Sequence, residues 1–459
     1  MEIKERKKLI FRSTPWIVLI VLFFFYVDLL LENRIHFEQR FWYATGDVSG
    51  SGSRRIVEGQ QDVLDSLLAR LVKEEDRRNF EATGFACNSE IPSIHCVVDR
   101  PVRIDAGTMT VFVPSDHPPA PEEIAVRPYA RQEDQVLMKS VSPVKILRGN
   151  LSAPACKYNH RVPAVVFSSG GFVGNVFHEM NEIIIPLYIT TRMFQSRAVF
   201  VLENYNPKFA DKYEEILSGL TSHDIIDPAA NTSVHCFPAA VVGLKFHGHL
   251  AVNSGDIPTG LTMGGFRQFL RETLNLKHRH VAQIRRPTAM LLSRRTSRRI
   301  INEDEVVTTM QELGFRVIVV ARAKILSNLK SFARLLNSCA VFVAAHGAGL
   351  TNELFLPDGA VVVQVDLIGL NWAAATYYGD PARAMHVRYL RYKIEPEESS
   401  LLKIFGGRDH IAFSDPKSAF PVEVGKEVYL NGQNVRINIT RFRHTMVEAL
   451  SLVRESSPL

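Results

Sequence analysis

Several signatures of common protein classes are missing from this 459-residue chain. It has no G-x-S-x-G, the strand-to-helix turn that holds an esterase nucleophile, and no GK[ST], the end of a Walker phosphate loop. Beyond the N-terminus, no long Lys/Arg block is interleaved with aromatic residues, although the net charge is +6. These absences argue against a serine esterase, a P-loop NTPase and a nucleic-acid-binding protein.

One long apolar run is present, close to the N-terminus. Residues 14–31 read TPWIVLIVLFFFYVDLLL and follow a cluster of Lys and Arg. The run is about long enough to cross a bilayer, and its basic flank places the N-terminal end in the cytosol. A cleaved signal peptide is the alternative, but the run is long for one and no small-x-small cleavage site follows. We therefore expect a cytosolic tail (1–13), a single membrane anchor (14–31) and a lumenal stem (32–84).

Cysteine is scarce, and the five residues suit an oxidising compartment. Cys339 begins an apolar strand, where we expect a buried free thiol. The short spacing favours a bond between Cys87 and Cys96, after which Cys156 would pair with Cys236, whereas five buried thiols are the alternative. N-glycosylation sequons occur at Asn150, Asn231 and Asn438.

Strand and helix patterns alternate in two blocks of the chain. The first begins near Val162 with PAVVFSSGG, and the second begins near Pro287 with TAMLLSRR. Such alternation predicts an α/β protein with parallel sheets covered by helices on both faces. We expect two Rossmann-like domains, 85–284 and 285–459, that face a cleft, with ligands at the carboxyl ends of their strands. The last helical pattern, TRFRHTMVEALSLVRES, is expected to pack back on the first domain.

A glycine turn lies between two apolar runs of the second domain, in the stretch VFVAAHGAGLTNELFLPDGAVVVQV. Asn352 stands where a dinucleotide fingerprint needs its third glycine, so that motif does not match. Two interpretations remain open. The turn could let backbone N–H groups and a helix N-terminus approach the diphosphate of a nucleotide sugar, or it could be a tight turn with no ligand.

An arginine cluster follows a strand of the same domain, in LLSRRTSRRIINEDE. Guanidinium groups bind phosphate bidentately, and a solvated basic loop is the alternative. The cluster consists of Arg294, Arg295, Arg298 and Arg299. The chain has no D-x-D, the motif through which many metal-dependent sugar-transferring enzymes hold a divalent cation. We therefore expect no metal site of that kind, with arginines and helix dipoles offsetting the charge of a leaving diphosphate.

A third polar stretch, SSGGFVGNVFHEMNE, follows a strand of the first domain. On a helix His178 and Glu182 share one face, and Glu179 lies about 100° away. A His or carboxylate here could take a proton from an acceptor hydroxyl, whereas local packing of His178 is the alternative. The stretch is not a zinc motif, because Glu182 replaces the second His of H-E-x-x-H.

These three stretches, in the order in which they occur along the chain, resemble plant members of glycosyltransferase family 61, and the resemblance spans roughly residues 85–455. It implies a GT-B fold, a type II Golgi anchor and an inverting mechanism. The implied acceptor-side residues are Asn175, His178, Glu179, Asn181 and Glu182. The implied nucleotide-sugar residues are Arg294, with less support Arg295 and Arg298, and His346, Gly347, Ala348, Gly349, Leu350, Thr351 and Asn352. Plant relatives often have Asp where this chain has Glu182, which weakens a direct proton-transfer role there.

The resemblance also implies a reaction. A UDP-pentose, either UDP-arabinofuranose or UDP-xylose, would donate its sugar to xylan, with α-1,3-arabinofuranose the first expected product and β-1,2-xylose the second. His178 is the first candidate base, Arg294 would offset the leaving charge, and His346 would hold the loop or touch the phosphate. No permanently bound cofactor is expected, and the metal requirement is left open. An N-glycan β-1,2-xylosyltransferase and a non-catalytic lumenal partner of a Golgi xylan synthase complex are the alternatives.

Overall fold

The structure, a computed structural model, describes residues 62–114, 122–149, 152–253, 255, 260–321 and 327–456. The predicted tail, the predicted anchor, most of the predicted stem and Asn150 lie outside these residues. None of the described helices is long and apolar enough to span a membrane. The chain divides into two units, of which Met1–Ser66 is described only at its last five residues, which are helical, and Leu67–Leu459 is compact.

The second unit contains three β-sheets. Their strands are β1 Phe85–Asn88, β2 His95–Val98, β3 Val102–Asp105, β4 Thr110–Val113, β5 Glu122–Val126, β6 Val144–Arg148, β7 Tyr158–Asn159, β8 Ala164–Ser168, β9 Val199–Glu203, β10 Val234–Phe237, β11 Ala240–Val242, β12 Thr288–Leu292, β13 Arg316–Val320, β14 Val341–Ala345, β15 Val361–Asp366 and β16 Arg388–Lys393.

Helices connect and cover these strands. The α-helices are α1 Glu74–Thr83, α2 Gln135–Met138, α3 Val176–His178, α4 Ile185–Thr191, α5 Pro207–Lys212, α6 Glu214–Leu220, α7 Met263–Leu274, α8 Glu303–Glu312, α9 Leu329–Asn337, α10 Asn371–Ala374, α11 Asp380–Ala384, α12 Leu402–Phe405, α13 Ile411–Ser414, α14 Val422–Lys426 and α15 Ile439–Glu455. Turns of π-helix occupy Glu179–Ile184, Ala375–Gly379 and Glu427–Asn431, and 3₁₀ turns occupy Arg192–Phe194, Val281–Gln283, Ala348–Phe355 and Pro396–Glu398.

The third sheet is parallel throughout and has the strand order β13-β12-β14-β15-β16. Its central strands, β12, β14 and β15, are buried along their whole length, which is why they read as continuous apolar runs. The order reverses between β12 and β14, and ligands of such sheets bind beside the carboxyl ends of the strands at the reversal. A ligand site is therefore expected beside the segments that follow Leu292 and Ala345.

The first two sheets differ from the predicted Rossmann-like arrangement. The first sheet has the order β1-β2-β11-β8-β9, and only β11, β8 and β9 run parallel. The second has the order β5-β6-β4-β3-β10-β7 and is largely antiparallel. They share one hydrophobic core, to which Val98, Ile104, Val111, Ile146 and Val166 contribute. The short alternating strands before residue 160 pair with one another, so they form a mixed α/β half in place of a uniform parallel sheet.

The cysteines pair in two bonds. Cys87 is bonded to Cys96, which lies directly opposite it in the register of β1 and β2, and Cys156 is bonded to Cys236. Cys339 is buried and free. The first pair closes a hairpin, and the second links β10 to the segment that leads into β7.

The C-terminal helix does not lie where the sequence suggested. Helix α15 packs against β15, β16 and α8, all within the second half of the chain. Its apolar face, with Phe442, Met446 and Leu450 buried, covers the third sheet. The expectation that it returns to the first domain is wrong, because the third sheet has an open face that this amphipathic helix covers.

Arg267 joins α7 to the end of the Ala348–Phe355 turn. Its side chain is only 1% exposed and donates hydrogen bonds to the carbonyl oxygens of Leu354, Leu356 and Met385. It also lies 2.6 Å from the carboxylate of Asp358. Burial lowers the pKa of Arg267 to about 10, so the group stays charged at neutral pH. A buried charge of this kind is stable only while its partners remain in place.

Replacing Arg267 with Met should lower the free energy of unfolding by about 3–5 kcal/mol, because three carbonyl oxygens lose their donor and the partly buried carboxylate of Asp358 loses one of its two arginine partners. Equilibrium urea denaturation of the full-length chain measures this loss. The matched control is Arg271→Met, whose guanidinium lies 3.3 Å from the same carboxylate and whose loss should cost about 1 kcal/mol. Equal losses in the two variants would contradict the role given to Arg267.

Candidate functional site

Two segments meet at the strand-order reversal of the third sheet. The arginine cluster follows β12, and the His346 loop, residues His346 to Asn352, follows β14. Arg298 donates from Nη1 to the carbonyl oxygen of His346 at 3.1 Å. The structure therefore brings together two motifs that lie about fifty residues apart in the chain.

The glycines of the loop permit this close approach. Gly347 has a φ of +147°, and a Cβ added there would lie 2.8 Å from Nη1 of Arg298 and 3.0 Å from Nη1 of Arg294. A Cβ on Gly349 would lie 2.4 Å from Cδ2 of Leu292, the last residue of β12. Gly347 thus admits the arginines to the loop backbone, and Gly349 lets the loop pack on the neighbouring strand.

Arg294 and Arg298 carry charges that the protein does not pair. Among the described residues no carboxylate lies within ion-pairing distance of either group, and Nε of Arg298 is buried without a hydrogen-bond partner. Burial lowers the pKa of both, that of Arg298 to about 10, so both remain cationic at neutral pH. Two adjacent, half-buried guanidinium groups without a counter-charge have the chemistry that suits an anion with two charged centres.

The backbone of the cluster is shaped to hold this pair. Arg298 has a left-handed backbone, with φ +57°, and its N–H bonds the carbonyl oxygen of Gln433 at 2.7 Å. Nε of Arg294 donates to the carbonyl oxygen of Ser297 at 2.8 Å, which leaves the terminal nitrogens for other partners. Arg295 points away: its side chain is 61% exposed and lies 3.7 Å from Glu303. Of the three predicted arginines, two face the loop and one faces solvent.

His346 is buried and neutral. Its Nδ1 lies 3.2 Å from Nε2 of Gln364, and the same amide group donates to Asp366 at 2.5 Å. Because this nitrogen is a donor, Nδ1 of His346 is an acceptor and the ring proton lies on Nε2. Burial and the charges of Arg298 and Arg294 lower the pKa of His346 to about 4. The imidazole can donate a hydrogen bond, but it adds no positive charge to the site.

The rest of the loop turns inward. The side chains of Leu350, Thr351 and Asn352 are buried, and Nδ2 of Asn352 donates to the carbonyl oxygen of Gly349 at 2.8 Å. Ala348 is half-buried, so the partly accessible part of the loop is its glycine-rich backbone. The predicted ligand contact of Leu350, Thr351 and Asn352 can therefore come only from their backbone in this arrangement.

Glu353, which the sequence did not single out, lies directly behind the loop. It is fully buried, and within the described chain neither carboxyl oxygen has a hydrogen-bond partner. Burial raises the pKa of Glu353 well above its usual value, and the charge of Arg267 opposes this shift. The 3₁₀ turn that begins at Ala348 directs it inward, a placement that no sequence periodicity indicates.

The predicted motif of the first domain starts at the carboxyl end of β8. Asn175 caps α3, with its side-chain oxygen accepting from the N–H of Phe177 at 3.0 Å. His178 follows, and its Nδ1 lies 2.7 Å from Oε1 of Glu182. A π-helical turn then runs from Glu179 to Ile184, and such local widening is frequent at functional sites.

Glu182 is completely buried and holds three partners. It accepts from the hydroxyl of Tyr129 at 2.8 Å and from Nη1 of Arg131 at 3.1 Å, besides its contact with His178. With Nδ1–H donated to Glu182, Nε2 of His178 carries the lone pair. The His178 side chain is 18% exposed, whereas that of Glu182 is fully buried, so of the two only His178 is accessible from solvent.

The other predicted acceptor-side residues are structural in this arrangement. Glu179 is buried and accepts from the N–H of Gly174 at 2.9 Å, from the hydroxyl of Tyr213 at 2.7 Å and from Lys212. Asn181 is buried and accepts from the N–H of Leu250 at 2.7 Å. Both side chains are buried, and Nδ2 of Asn181 has no hydrogen-bond partner among the residues that the structure describes.

Aromatic side chains connect the two halves of the site. The Phe177 ring lies 5.1 Å from the Tyr377 ring and 6.0 Å from the Tyr378 ring, and the Tyr378 ring lies 5.7 Å from the His346 ring. His178 and His346 therefore belong to one site, separated by Phe177 and Tyr378. No sequence pattern indicated Tyr377 or Tyr378, which lie in the π-helical turn Ala375–Gly379 between β15 and β16.

His249 is a further residue of the site that sequence reasoning missed. Its ring lies 4.7 Å from that of Tyr377 and 6.3 Å from that of Phe177. Nδ1 is buried and has no partner among the residues that the structure describes. Burial and the charge of Arg131 lower the pKa of His249, so its ring is neutral. It adds a polar atom beside the His178 motif.

Two other features bear on the site. In the described part of the chain, no group of three or more His, Cys, Asp or Glu side chains is placed to hold a metal ion. A cavity of about 1010 Å³, lined by Gly359, His386 and Arg388 among others, lies at the amino ends of β15 and β16. Because ligands of parallel sheets bind at the carboxyl ends, we place the site at the His346 loop and not in this cavity.

The chain is similar to known sugar-transferring proteins. The model of the family "Glycosyltransferase 61" matches residues 163–363. A xylan glycosyltransferase of Arabidopsis thaliana is 33% identical over 402 residues, covering 82% of this chain and 80% of that protein. A β-1,2-xylosyltransferase of Oryza sativa subsp. japonica is 36% identical over 379 residues, covering 79% of this chain and 66% of that protein. An α-1,3-arabinosyltransferase of the same plant is 33% identical over 364 residues, covering 77% of this chain and 63% of that protein.

The matched region contains the His178 motif, the Arg294 cluster and the whole His346 loop. The similarity to the Arabidopsis protein covers 82% of this chain, so it extends beyond the region that the family model matches. The chain belongs to glycosyltransferase family 61 and is a glycosyltransferase.

Proposed function

We propose that this enzyme transfers a pentose from a UDP-sugar to xylan in one inverting step, as part of arabinoxylan synthesis in the cell wall. The observation that carries the proposal is the pair of guanidinium groups without a carboxylate partner, Arg294 and Arg298, in one site with His178. The names of the relatives supply the chemistry of donor and acceptor. An α-1,3-linked arabinofuranose is the first expected product, and a β-1,2-linked xylose is the second.

We extend the proposal to architecture and location. In a GT-B-type arrangement the third sheet holds the nucleotide sugar, and the half of the chain before residue 285 holds the acceptor. The strand-order reversal beside Arg294 and His346 supports this division of roles. The two disulfide bonds support a body in the Golgi lumen behind the predicted anchor.

At the donor end the residues bind and stabilise the diphosphate. Arg294 and Arg298 offer bidentate donors to its oxygens, and Nε2–H of His346 adds a neutral one. When the bond between the sugar C1 and the phosphate oxygen breaks, negative charge grows on the leaving UDP. The two cations are already in place and desolvated in part, so they stabilise this charge without rearrangement.

At the acceptor end His178 takes the proton. A xylose hydroxyl forms the new bond to C1 on the face opposite the departing phosphate, and its proton passes to Nε2 of His178. The resulting imidazolium is stabilised by Glu182, whose position Tyr129 and Arg131 fix. The carboxylate of Glu182 orients and stabilises the ring, and it contacts no substrate.

The decisive experiment incubates the full-length chain, expressed in a eukaryotic host, with xylohexaose and either UDP-arabinofuranose or UDP-xylose. The reactions must be separate, because the two pentoses have equal mass, and the linkage is then read by methylation analysis. Transfer with one donor identifies the sugar. Transfer only to an N-glycan acceptor would replace xylan in the proposal, and failure to bind UDP would leave the non-catalytic alternative.

Replacing Arg294 with Ala should lower kcat/KM by about 10²–10³-fold, because it removes a preorganised donor to the leaving diphosphate. The dissociation constant for UDP should rise as well. Steady-state kinetics and calorimetric titration with UDP measure the two effects. The matched control is Arg295→Ala, which removes an exposed guanidinium of the same segment and should change both values less than about twofold. If Arg295→Ala lowered kcat/KM strongly and Arg294→Ala did not, Arg295 and not Arg294 would be the residue that binds the diphosphate.

Replacing His178 with Ala should lower kcat by about 10²–10⁴-fold, because the acceptor hydroxyl loses its general base. The affinity for UDP should stay within about twofold of the parent, since the ring is on the acceptor side. Glu182→Gln should also lower kcat, because an amide cannot stabilise the imidazolium. Parent-like turnover by the His178 variant, with an unchanged pH profile, would show that the base lies elsewhere.

A further inference from the structure

A row of aromatic rings passes through His178 and ends in solvent on both sides. The ring of Phe172 lies 4.8 Å from that of His178, and its side chain is 38% exposed. On the other side the row continues through Phe177, 5.5 Å from His178, and Tyr377 to Trp372. The ring of Trp372 lies 5.7 Å from that of Tyr377 and is 66% exposed.

Exposing the large apolar ring of Trp372 to water costs free energy, and packing does not explain its position. Large aromatic side chains are normally buried over most of their area. Trp372 is the second residue of α10, which follows the carboxyl end of β15, so its backbone stands at the ligand edge of the third sheet. The next two residues, Ala373 and Ala374, are buried and fix the helix in place. The ring is thus held out from a firmly anchored backbone.

The chemistry of the ring matches one face of a sugar. A pyranose presents C–H groups on its flat faces and hydroxyls around its edge, so a flat aromatic ring buries the apolar face while the hydroxyls stay hydrated or bonded. Xylopyranose has no hydroxymethyl group at C5, so neighbouring units of a xylan chain leave these faces open. Around the row, Arg131 and His249 supply polar atoms for the hydroxyl edge.

We propose that Trp372 and Phe172 are stacking subsites that hold an unbranched xylan chain on both sides of His178. The identity of the acceptor rests on the proposed function above, whereas the placement of the rings does not. Because Phe172 lies next to His178 whereas Phe177 and Tyr377 separate His178 from Trp372, the chain must span more than one sugar to reach both exposed rings. The enzyme then selects acceptors by length, and the xylose that reacts lies between the two stacked units.

The test compares short and long acceptors. For the full-length enzyme, KM should fall from xylobiose to xylohexaose, and Trp372→Ala should remove most of this gain by raising the KM for xylohexaose about tenfold. The KM for xylobiose should rise much less, and the dissociation constant for UDP should not change. Trp372→Phe should restore most of the affinity, since it keeps an aromatic face. The matched control is Ile404→Ala, an apolar side chain of equal exposure (65%) outside the row.

Binding is measured without turnover to separate this inference from the proposed function. Of the three tryptophans in the sequence, Trp16 and Trp42 lie outside the described residues. Full-length W16F/W42F therefore carries Trp372 as its only tryptophan, and xylohexaose should change its emission, whereas xylobiose should change it only weakly. Calorimetry with the parent and with Trp372→Ala provides the second readout.

The outcomes are distinct. Xylohexaose binding that Trp372→Ala weakens, even without transfer from either donor, supports the stacking subsites and contradicts the proposed reaction. Normal transfer with a Trp372→Ala variant whose KM values match the parent overturns the subsites and leaves the reaction standing. Equal losses for xylobiose and xylohexaose also overturn the inference, because they would show a general defect of the site.

Discussion

Two like charges held side by side, with no carboxylate close to either in the described structure, are the constraint on which the rest of the site depends. Arg294 and Arg298 are forced together against Gly347 by the packing of two loops at one edge of a parallel sheet. Within the described residues no carboxylate offsets their mutual repulsion, and their two charges, after burial, help to lower the pKa of His346. Gly347 and the left-handed backbone of Arg298 both allow the two guanidinium groups to lie side by side.

Around the His178 motif, in contrast, charged groups are paired within the protein. Its carboxylates, Glu179 and Glu182, are buried, and each holds several donors, so they present no free charge to the cleft. Arg294 and Arg298 thus carry positive charge that no described carboxylate balances, whereas the charges around the His178 motif are balanced within the protein. A donor with two negative charges and a neutral polysaccharide are the two ligands that this division suits.

The sequence predicted the second half of the fold better than the first. Strands β12, β14 and β15 are long buried runs between periodic helices, so local pattern and tertiary structure agree, and Arg294 and His346 follow such strands directly. In the first half, short strands pair across long separations, as β2 does with β11, and no local pattern encodes that choice. The contacts of Glu179 and Glu182 could not be predicted for a related reason, because their partners, Tyr213, Tyr129 and Arg131, are distant in the sequence.

Asn438 belongs to an N-glycosylation sequon, and its side chain also caps the last helix. Its Oδ1 accepts from the backbone N–H groups of Thr440 and Arg441 and so begins the last helix. Nδ2, the atom to which a sugar would be attached in the sequon, takes no part in this cap. Glycan attachment and helix formation therefore do not compete for the same atom, and a carbohydrate at this position would leave the start of α15, and the cover it gives the third sheet, unchanged.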